Sequence, residues 1–321
     1  MNNTLKDSYI LYKCDSLRDL TDQRCELQRR KLLRIHSIDD VVFYFLYNLI
    51  MNIVKINDVN DYRLDRYYRY TEKQLHRAYS ENNGYFVAES ELVINRCLDT
   101  GYKPVSFLIR ETDENRFMYL YEDKDVDVYE VSDEIFKKLK GYLLIRDVLA
   151  IFERKPDLSI EQVCKNSKRI VVLENVENPA NVGSIFRNAA ALFVDGILLT
   201  DDSCDPLYRR SIRVSMGNVF NIKYTYISKD NYIDKLHELG YKTVALALRD
   251  DCLDINDERL LSEDKLAIIL GSEGYGMIDK TIESSDYIVK ININNNVDSL
   301  NVASASAIAL WQLCGKNNLE K

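Results

Sequence analysis

The sequence predicts an α/β protein, and three observations carry the prediction. Short apolar runs such as Ile170-Val171-Val172-Leu173, Gly196-Ile197-Leu198-Leu199-Thr200 and Leu266-Ala267-Ile268-Ile269-Leu270 are bounded by turn residues. Segments with helical spacing, at 182–192, 231–239 and 301–313, fall between them. The runs are apolar at nearly every position instead of alternating, which suits strands of a parallel sheet covered on both faces. A length of 321 residues corresponds to two domains and an appendage at about 100–200 residues per domain.

The elements divide into three stretches. Residues 1–60 read as a helical N-terminal extension: Cys25 to Leu33 is rich in helix formers, and Val41 to Val54 is apolar on almost every side. Residues 61–156 read as a small α/β domain. It opens with the aromatic and basic run Asp61-Tyr62-Arg63-Leu64-Asp65-Arg66-Tyr67-Tyr68-Arg69-Tyr70, which suits either base stacking with phosphate contacts or an ordinary helix surface. Strands are expected at 85–88, 105–109, 125–130 and 147–153. Helices are expected at 89–98 and 132–139, the latter capped by Ser132. Residues 166–321 form the larger domain, with strands at 170–173, 196–200, 243–248, 266–270 and 287–293.

Composition narrows the function. Apolar residues at 46% and charged residues at 29% describe a folded chain, not a disordered or membrane-embedded one. No run reaches the ~18 uninterrupted apolar residues of a membrane span, since Asn48 and Asn52 interrupt the nearest one. The start, MNNTLKDSY, lacks the basic and apolar regions of a secretion signal. Seven scattered cysteines with no CxxC pair, and three histidines far apart, argue against a disulfide framework, a metal site and histidine catalysis. A reduced, cytoplasmic protein is expected. The net charge of −8 opposes broad capture of nucleic acid and leaves room only for a local basic cluster.

Three loops follow expected strands at their C-terminal ends, where open α/β sheets place ligands. The first, Glu174 to Ala190, contains Pro179 and Asn181 at a turn into a helix, with Arg187 more than a turn along among small residues. A guanidinium there suits a phosphate or carboxylate, although a surface salt bridge would need the same residue. The second is Gly271-Ser272-Glu273-Gly274-Tyr275-Gly276. It matches neither GxGxxG nor a Walker loop, and alone it is a glycine-rich turn. The third brings Ser299 and Asn301 to the start of an alanine- and serine-rich helix, where Ser299 alone reads as an N-cap.

Taken in order, NPxNxGxxxRNA, GSEGxG and SLNVAxAxA resemble the SPOUT superfamily of RNA methyltransferases in its TrmH/SpoU branch, over about Lys168 to Leu313. The basic segment Arg209-Arg210-Ser211-Ile212-Arg213 and the Ser215-Met216-Gly217 turn belong to the same resemblance. The small domain is similar, more loosely, to the RNA-binding domain often attached to this fold. It has Glu89-Ser90 where the family often has Glu-Gly, and Arg146-Asp147 where Gln-Gly is frequent.

The resemblance implies a parallel-sheet domain closed by a deep trefoil knot, working as a homodimer. It implies an S-adenosyl-L-methionine-dependent methyltransferase acting on a ribose 2′-hydroxyl of rRNA or tRNA. Arg187 would orient the substrate phosphate and lower the hydroxyl pKa, with Asn181, Glu273, Ser299 and Asn301 as the other catalytic-site residues. Cofactor contacts would come from Leu246, Ala247, Leu248, Gly271, Ser272, Glu273, Gly274, Ile291 and Leu300. Arg209, Arg210 and Arg213 would face RNA. No metal and no membrane partner is implied. A non-catalytic RNA-binding protein that keeps the knot is the alternative, weakened by five intact polar motif positions; a nucleotide-dependent enzyme lacks both phosphate fingerprints.

Overall fold

The computed structural model describes residues 52–77, 84–140, 148–249, 252–272, 276–294, 296 and 298–315. Most of the expected helical extension therefore lies outside the described residues. Its last part differs from expectation: Ile53–Ile56 is a strand, β1, at the edge of a five-stranded sheet. Its β-branched Ile53, Val54 and Ile56 suit a pleated, half-buried surface.

That sheet has the order β1-β4-β3-β5-β2, with β2 Tyr85–Glu89, β3 Pro104–Arg110, β4 Asp127–Val131 and β5 Val148–Glu153. Strand β3 runs parallel to β4 and antiparallel to β5, which is antiparallel to β2. The helices that accompany it include α1 Glu72–Arg77, α2 Glu91–Asp99 and α3 Asp133–Lys140. Ser132 caps α3 as expected, its hydroxyl accepting from the Ile135 amide at 3.4 Å. One core joins Leu64, Tyr67, Val87, Leu108, Val131, Phe136 and Ile151.

The larger sheet has seven strands in the order β10-β12-β9-β11-β6-β7-β8, and every neighbouring pair is parallel. The strands are β6 Arg169–Glu174, β7 Gly196–Thr200, β8 Lys223–Ile227, β9 Lys242–Leu246, β10 Leu253–Asp254, β11 Leu266–Gly271 and β12 Tyr287–Lys290. Before, between and after them come α4 Ile160–Cys164, α5 Pro179–Ala191, α6 Arg209–Val214, α7 Tyr232–Glu238, α8 Glu258–Ser262, α9 Asp279–Ser284 and α10 Val302–Leu310. The central β6 and β11 are buried on both faces, which explains their unbroken apolar runs. Each fully buried Val, Leu or Ile there contributes about 1.5–3 kcal/mol. Ile170, Val172, Ala267 and Ile269 pack with Leu236, Tyr241 and Met277 on one face; Val171, Leu173, Ile268 and Leu270 are buried on the other.

Strand β12 stops at Lys290, short of the expected Ile293, and the chain continues as an irregular loop. Helix α10 passes into a π-helical turn, Trp311–Gly315. Arg169 ties that turn to the sheet, donating to the carbonyls of Leu313 (3.2 Å), Glu263 (2.9 Å) and Asp264 (2.8 Å).

The two sheets meet at a polar and aromatic seam. Arg154 and Asp205 form an ion pair of 2.6 Å, each side chain only 7% exposed. Burial lowers the Arg154 pKa, but Asp205 outweighs it and leaves the guanidinium above its ordinary value. Phe86 lies beside Phe152, Tyr102 and Phe220 at centroid distances of 5.3–5.6 Å. Arg96 of α2 donates to the Met216 carbonyl in the Ser215-Met216-Gly217 turn.

Candidate functional site

Parallel strands end together, so the C-terminal tips of β12, β9, β11 and β6 form one edge. Register fixes their order: Val289 faces Leu246, Ile269 faces Ala245, and Gly271 faces Glu174. Leu246, Ala247 and Leu248 therefore leave β9 between Ile291, just beyond β12, and Gly271-Ser272, at the tip of β11. The Ala247 amide still donates to the Val289 carbonyl at 3.0 Å, which holds these two exits together. A Cβ on residue 271 would lie 2.5 Å from the Met277 amide nitrogen, so only glycine lets the returning chain pass so close. Ser272 and Gly276 pair across the loop, with the Gly276 amide donating to the Ser272 carbonyl at 3.0 Å. Glu273 and Gly274 lie outside the described residues.

Asn181 and Asn301, 120 positions apart, are in direct contact. The Asn301 amide donates from Nδ2 to Asn181 Oδ1 at 3.2 Å, while Asn301 Oδ1 caps α10 by accepting from the amides of Ala303 (3.0 Å) and Ser304 (3.4 Å). Helix α5 starts at Pro179, and Asn178 Oδ1 accepts from the Ala180 amide at 2.9 Å. The N-termini of α5 and α10 thus converge, and their partial positive charges favour an anion nearby. Asn188 fastens the same two helices further along, donating to the Ala303 carbonyl (3.0 Å) and the Ser306 hydroxyl (2.9 Å). The sequence motif contained Asn188, but nothing in it indicated that role.

Arg187 lies on the exposed face of α5 and has no partner among the described residues. Among the described residues no hydrogen bond or ion pair joins it to another expected site residue. Ser299 is exposed in the loop before α10, and Leu300 is half-buried there. The apolar wall is open: Leu248 is 55% exposed, and Ala247 and Ile291 are partly so.

Arg209 departs from expectation. The family resemblance implies an RNA-facing role shared with Arg210 and Arg213, but Arg209 turns into the seam. Its guanidinium donates to the carbonyls of Tyr67 and Arg66 and approaches Glu72 at 3.5 Å. Burial lowers the pKa of Arg209 and raises that of Glu72, as expected for charges withdrawn from water. Arg210 remains exposed and Arg213 half-buried. The aromatic and basic run at 61–70 is largely structural: Arg63 pairs with Asp61 (2.6 Å), Arg69 with Asp65 (3.0 Å), and Tyr67 is buried against the Ser106 hydroxyl (2.7 Å).

The SpoU rRNA Methylase family profile matches residues 168–311. An uncharacterized tRNA/rRNA methyltransferase of Mycobacterium bovis is 30% identical over 267 residues, spanning 82% of this chain and 92% of that one. The Bacillus subtilis 23S rRNA (guanosine(2553)-2'-O)-methyltransferase RlmP is 25% identical over 197 residues, 59% of this chain and 78% of that protein. Among solved structures, the AdoMet-bound rRNA methyltransferase of Sinorhizobium meliloti superposes with a TM-score of 0.72 at 21% identity, covering 82% of this chain and 97% of that one. The SpoU methyltransferase AviRb of Streptomyces viridochromogenes, in complex with AdoMet, gives 0.68 at 19% identity, covering 81% and 100%. At these identities the two structures bear on the fold.

Proposed function

The chain belongs to the SpoU rRNA methylase family, and on that premise we propose that it methylates a ribose 2′-hydroxyl of rRNA or tRNA, with AdoMet as methyl donor, at the edge where β9, β11 and β12 end. The observation that carries the reading is the Asn181–Asn301 bond. It joins two motif loops distant in sequence beside the exits of those strands.

The residues fit AdoMet. The half-open apolar surface of Ala247, Leu248, Ile291 and Leu300 suits an adenine ring. Leu246 and the Gly271-Ser272 backbone supply polar main-chain groups next to it. Glu273 and Gly274 continue that loop. AdoMet, when bound, supplies a methyl group on a sulfonium, already joined to a good leaving group. The demand on the protein is therefore to position the ribose oxygen and ease its deprotonation. Arg187 orients the adjoining phosphate and stabilises charge developing on the oxygen. Asn181 and Asn301 fix the two helix N-termini against each other, and Ser299 stands at the acceptor side. Arg210 and Arg213 contact the RNA backbone.

The fold in this reading includes a trefoil knot formed by the C-terminal segment, and the protein acts as a homodimer through that domain. Exposure of Ile308 (42%), Trp311 (49%) and Phe193 (49%) supports the second point. Trp311→Glu is expected to shift the sedimenting species to monomer; an unchanged coefficient counts against the dimer. The small domain serves RNA binding. The five described cysteines are all free thiols, in keeping with a cytoplasmic setting.

The test is to map ribose methylation after incubating the purified chain with AdoMet and total RNA from cells lacking the gene. Arg187→Ala should retain AdoMet affinity and lose about 10²–10³-fold in methyl transfer. An unaltered rate would remove Arg187 from the mechanism.

A further inference from the structure

Glu174 is a buried carboxylate, 2% exposed, to which the chemistry above gives no task. It sits at the tip of β6, in register with Gly271 at the tip of β11. Its oxygens collect three donors. Oε1 accepts from the Ile278 amide at 2.7 Å, and Oε2 accepts from the Thr281 hydroxyl at 2.7 Å and from the Tyr232 hydroxyl. Burial raises the Tyr232 pKa, and the bond to Glu174 raises it further, so this hydroxyl stays protonated and donating.

Two of the three donors lie in the segment that receives the glycine loop. Ser272 leaves β11, whose last residue is fixed by pairing with β6, and Gly276 leads back into Met277 and Ile278. Without Glu174, β6 would hold the loop's start, and its end would be held only through the Ser272–Gly276 bridge. With it, both ends are anchored to the same strand tip. Arg249, just past the β9 exit, forms an ion pair with Asp279, one residue beyond the Ile278 anchor. The anchored segment is therefore also tied to the residue that follows Leu248. We infer that Glu174 is a positioning residue for the methyl-donor site: by gripping Ile278 and Thr281 it sets where Gly276 and Met277 return against Gly271 and Ser272. The inference rests on the methyltransferase reading. It adds a residue that touches neither substrate nor cofactor but decides where the loop stands.

Its chemistry makes the role testable. An alanine removes all three acceptor bonds and leaves buried donors unmatched. A glutamine keeps an acceptor for Ile278, while the two hydroxyls can rotate to accept from its amide. AdoMet affinity by calorimetry, RNA affinity by filter binding and the melting temperature are compared for wild type, Glu174→Ala, Glu174→Gln and Thr281→Val. Glu174→Ala should weaken AdoMet binding about tenfold to a hundredfold, with RNA affinity within about twofold of wild type, and Glu174→Gln should recover most of the loss. If the alanine variant does not fold, Thr281→Val decides, with an expected rise of about tenfold in the AdoMet Kd at an intact fold. AdoMet affinity unchanged in both the Glu174→Ala and Thr281→Val proteins, or parallel losses of AdoMet and RNA affinity with melting temperature, overturns the positioning role alone. Failure of the wild-type protein to bind AdoMet overturns the methyltransferase reading and this inference with it.

Discussion

Helix α5 carries Asn181 and Arg187, and it can lie against α6 only because residue 183 has no side chain. A Cβ at that position would sit 2.4 Å from the Ser211 carbonyl oxygen and 3.0 Å from the Ser211 Cα. Both are backbone atoms and cannot turn aside. Restoring an ordinary 3.4 Å contact from 2.4 Å requires the helices to separate by about 1 Å, a shift on the scale of overpacked cores. Gly183→Ala sets two effects against each other. Alanine in a helix interior gains about 0.8–1.0 kcal/mol over glycine, whereas overpacking costs about 1–3 kcal/mol, and a backbone obstacle places this site at the upper end. Net destabilisation of about 1–2 kcal/mol is expected, read by denaturant unfolding. The same displacement moves Arg187 relative to the strand tips, so methyl transfer should fall about tenfold to a hundredfold. A variant that is more stable than wild type, as helix propensity alone would make it, refutes the close-packing argument. Full activity at reduced stability refutes its link to the site.

The arginines of α6 should separate by function. Arg209→Ala removes the donors of the Tyr67 and Arg66 carbonyls and the ion-pair partner of Glu72, which keeps only the residue-209 amide, and should cost about 1–3 kcal/mol in unfolding experiments. Arg213→Ala should leave unfolding unchanged, weaken RNA binding and reduce the slope of log affinity against log salt by about 1; the opposite pattern would restore Arg209 to the RNA face. Asp286 supplies a pH test. Burial raises its pKa, but bonds from Lys242, Thr243 and His237 outweigh burial and hold it well below the usual carboxylate range. Its folded pKa is thus below its unfolded one, so its contribution is complete above about pH 4 and fades as pH falls toward the folded value. Asp286→Asn should lower stability at pH 7 by about 1–3 kcal/mol and flatten the acid limb of the stability profile; an unchanged limb would show that Asp286 does not govern it.

The central strands could be read in the sequence because burial on both faces leaves no polar position in them. Strand β8, Lys-Tyr-Thr-Tyr-Ile, could not, because at the sheet edge only Thr225 and Ile227 are buried and the residues between them resemble a surface loop. Strand β12 read three residues too long for the converse reason: Ile291 and Ile293 continue the alternation, but no partner strand extends beside them. At the site, Asn181 and Asn301 were visible through the ordered motifs. Glu174 was not, since a carboxylate ending an apolar run looks like the start of solvent. Arg209 misled for a related reason. Its carbonyl partners belong to residues 66 and 67, and pairing across that distance leaves no local pattern.

The contact between Asn181 and Asn301 has a consequence for biosynthesis. One half of the pair leaves the ribosome 120 residues before the other, so α5 must wait with its leading end incomplete while β7 to β12 are made and ordered. A nascent chain halted between residues 271 and 301 has the sheet's central strands and no finished centre. The contact between the two helix ends is therefore completed only after that late segment emerges.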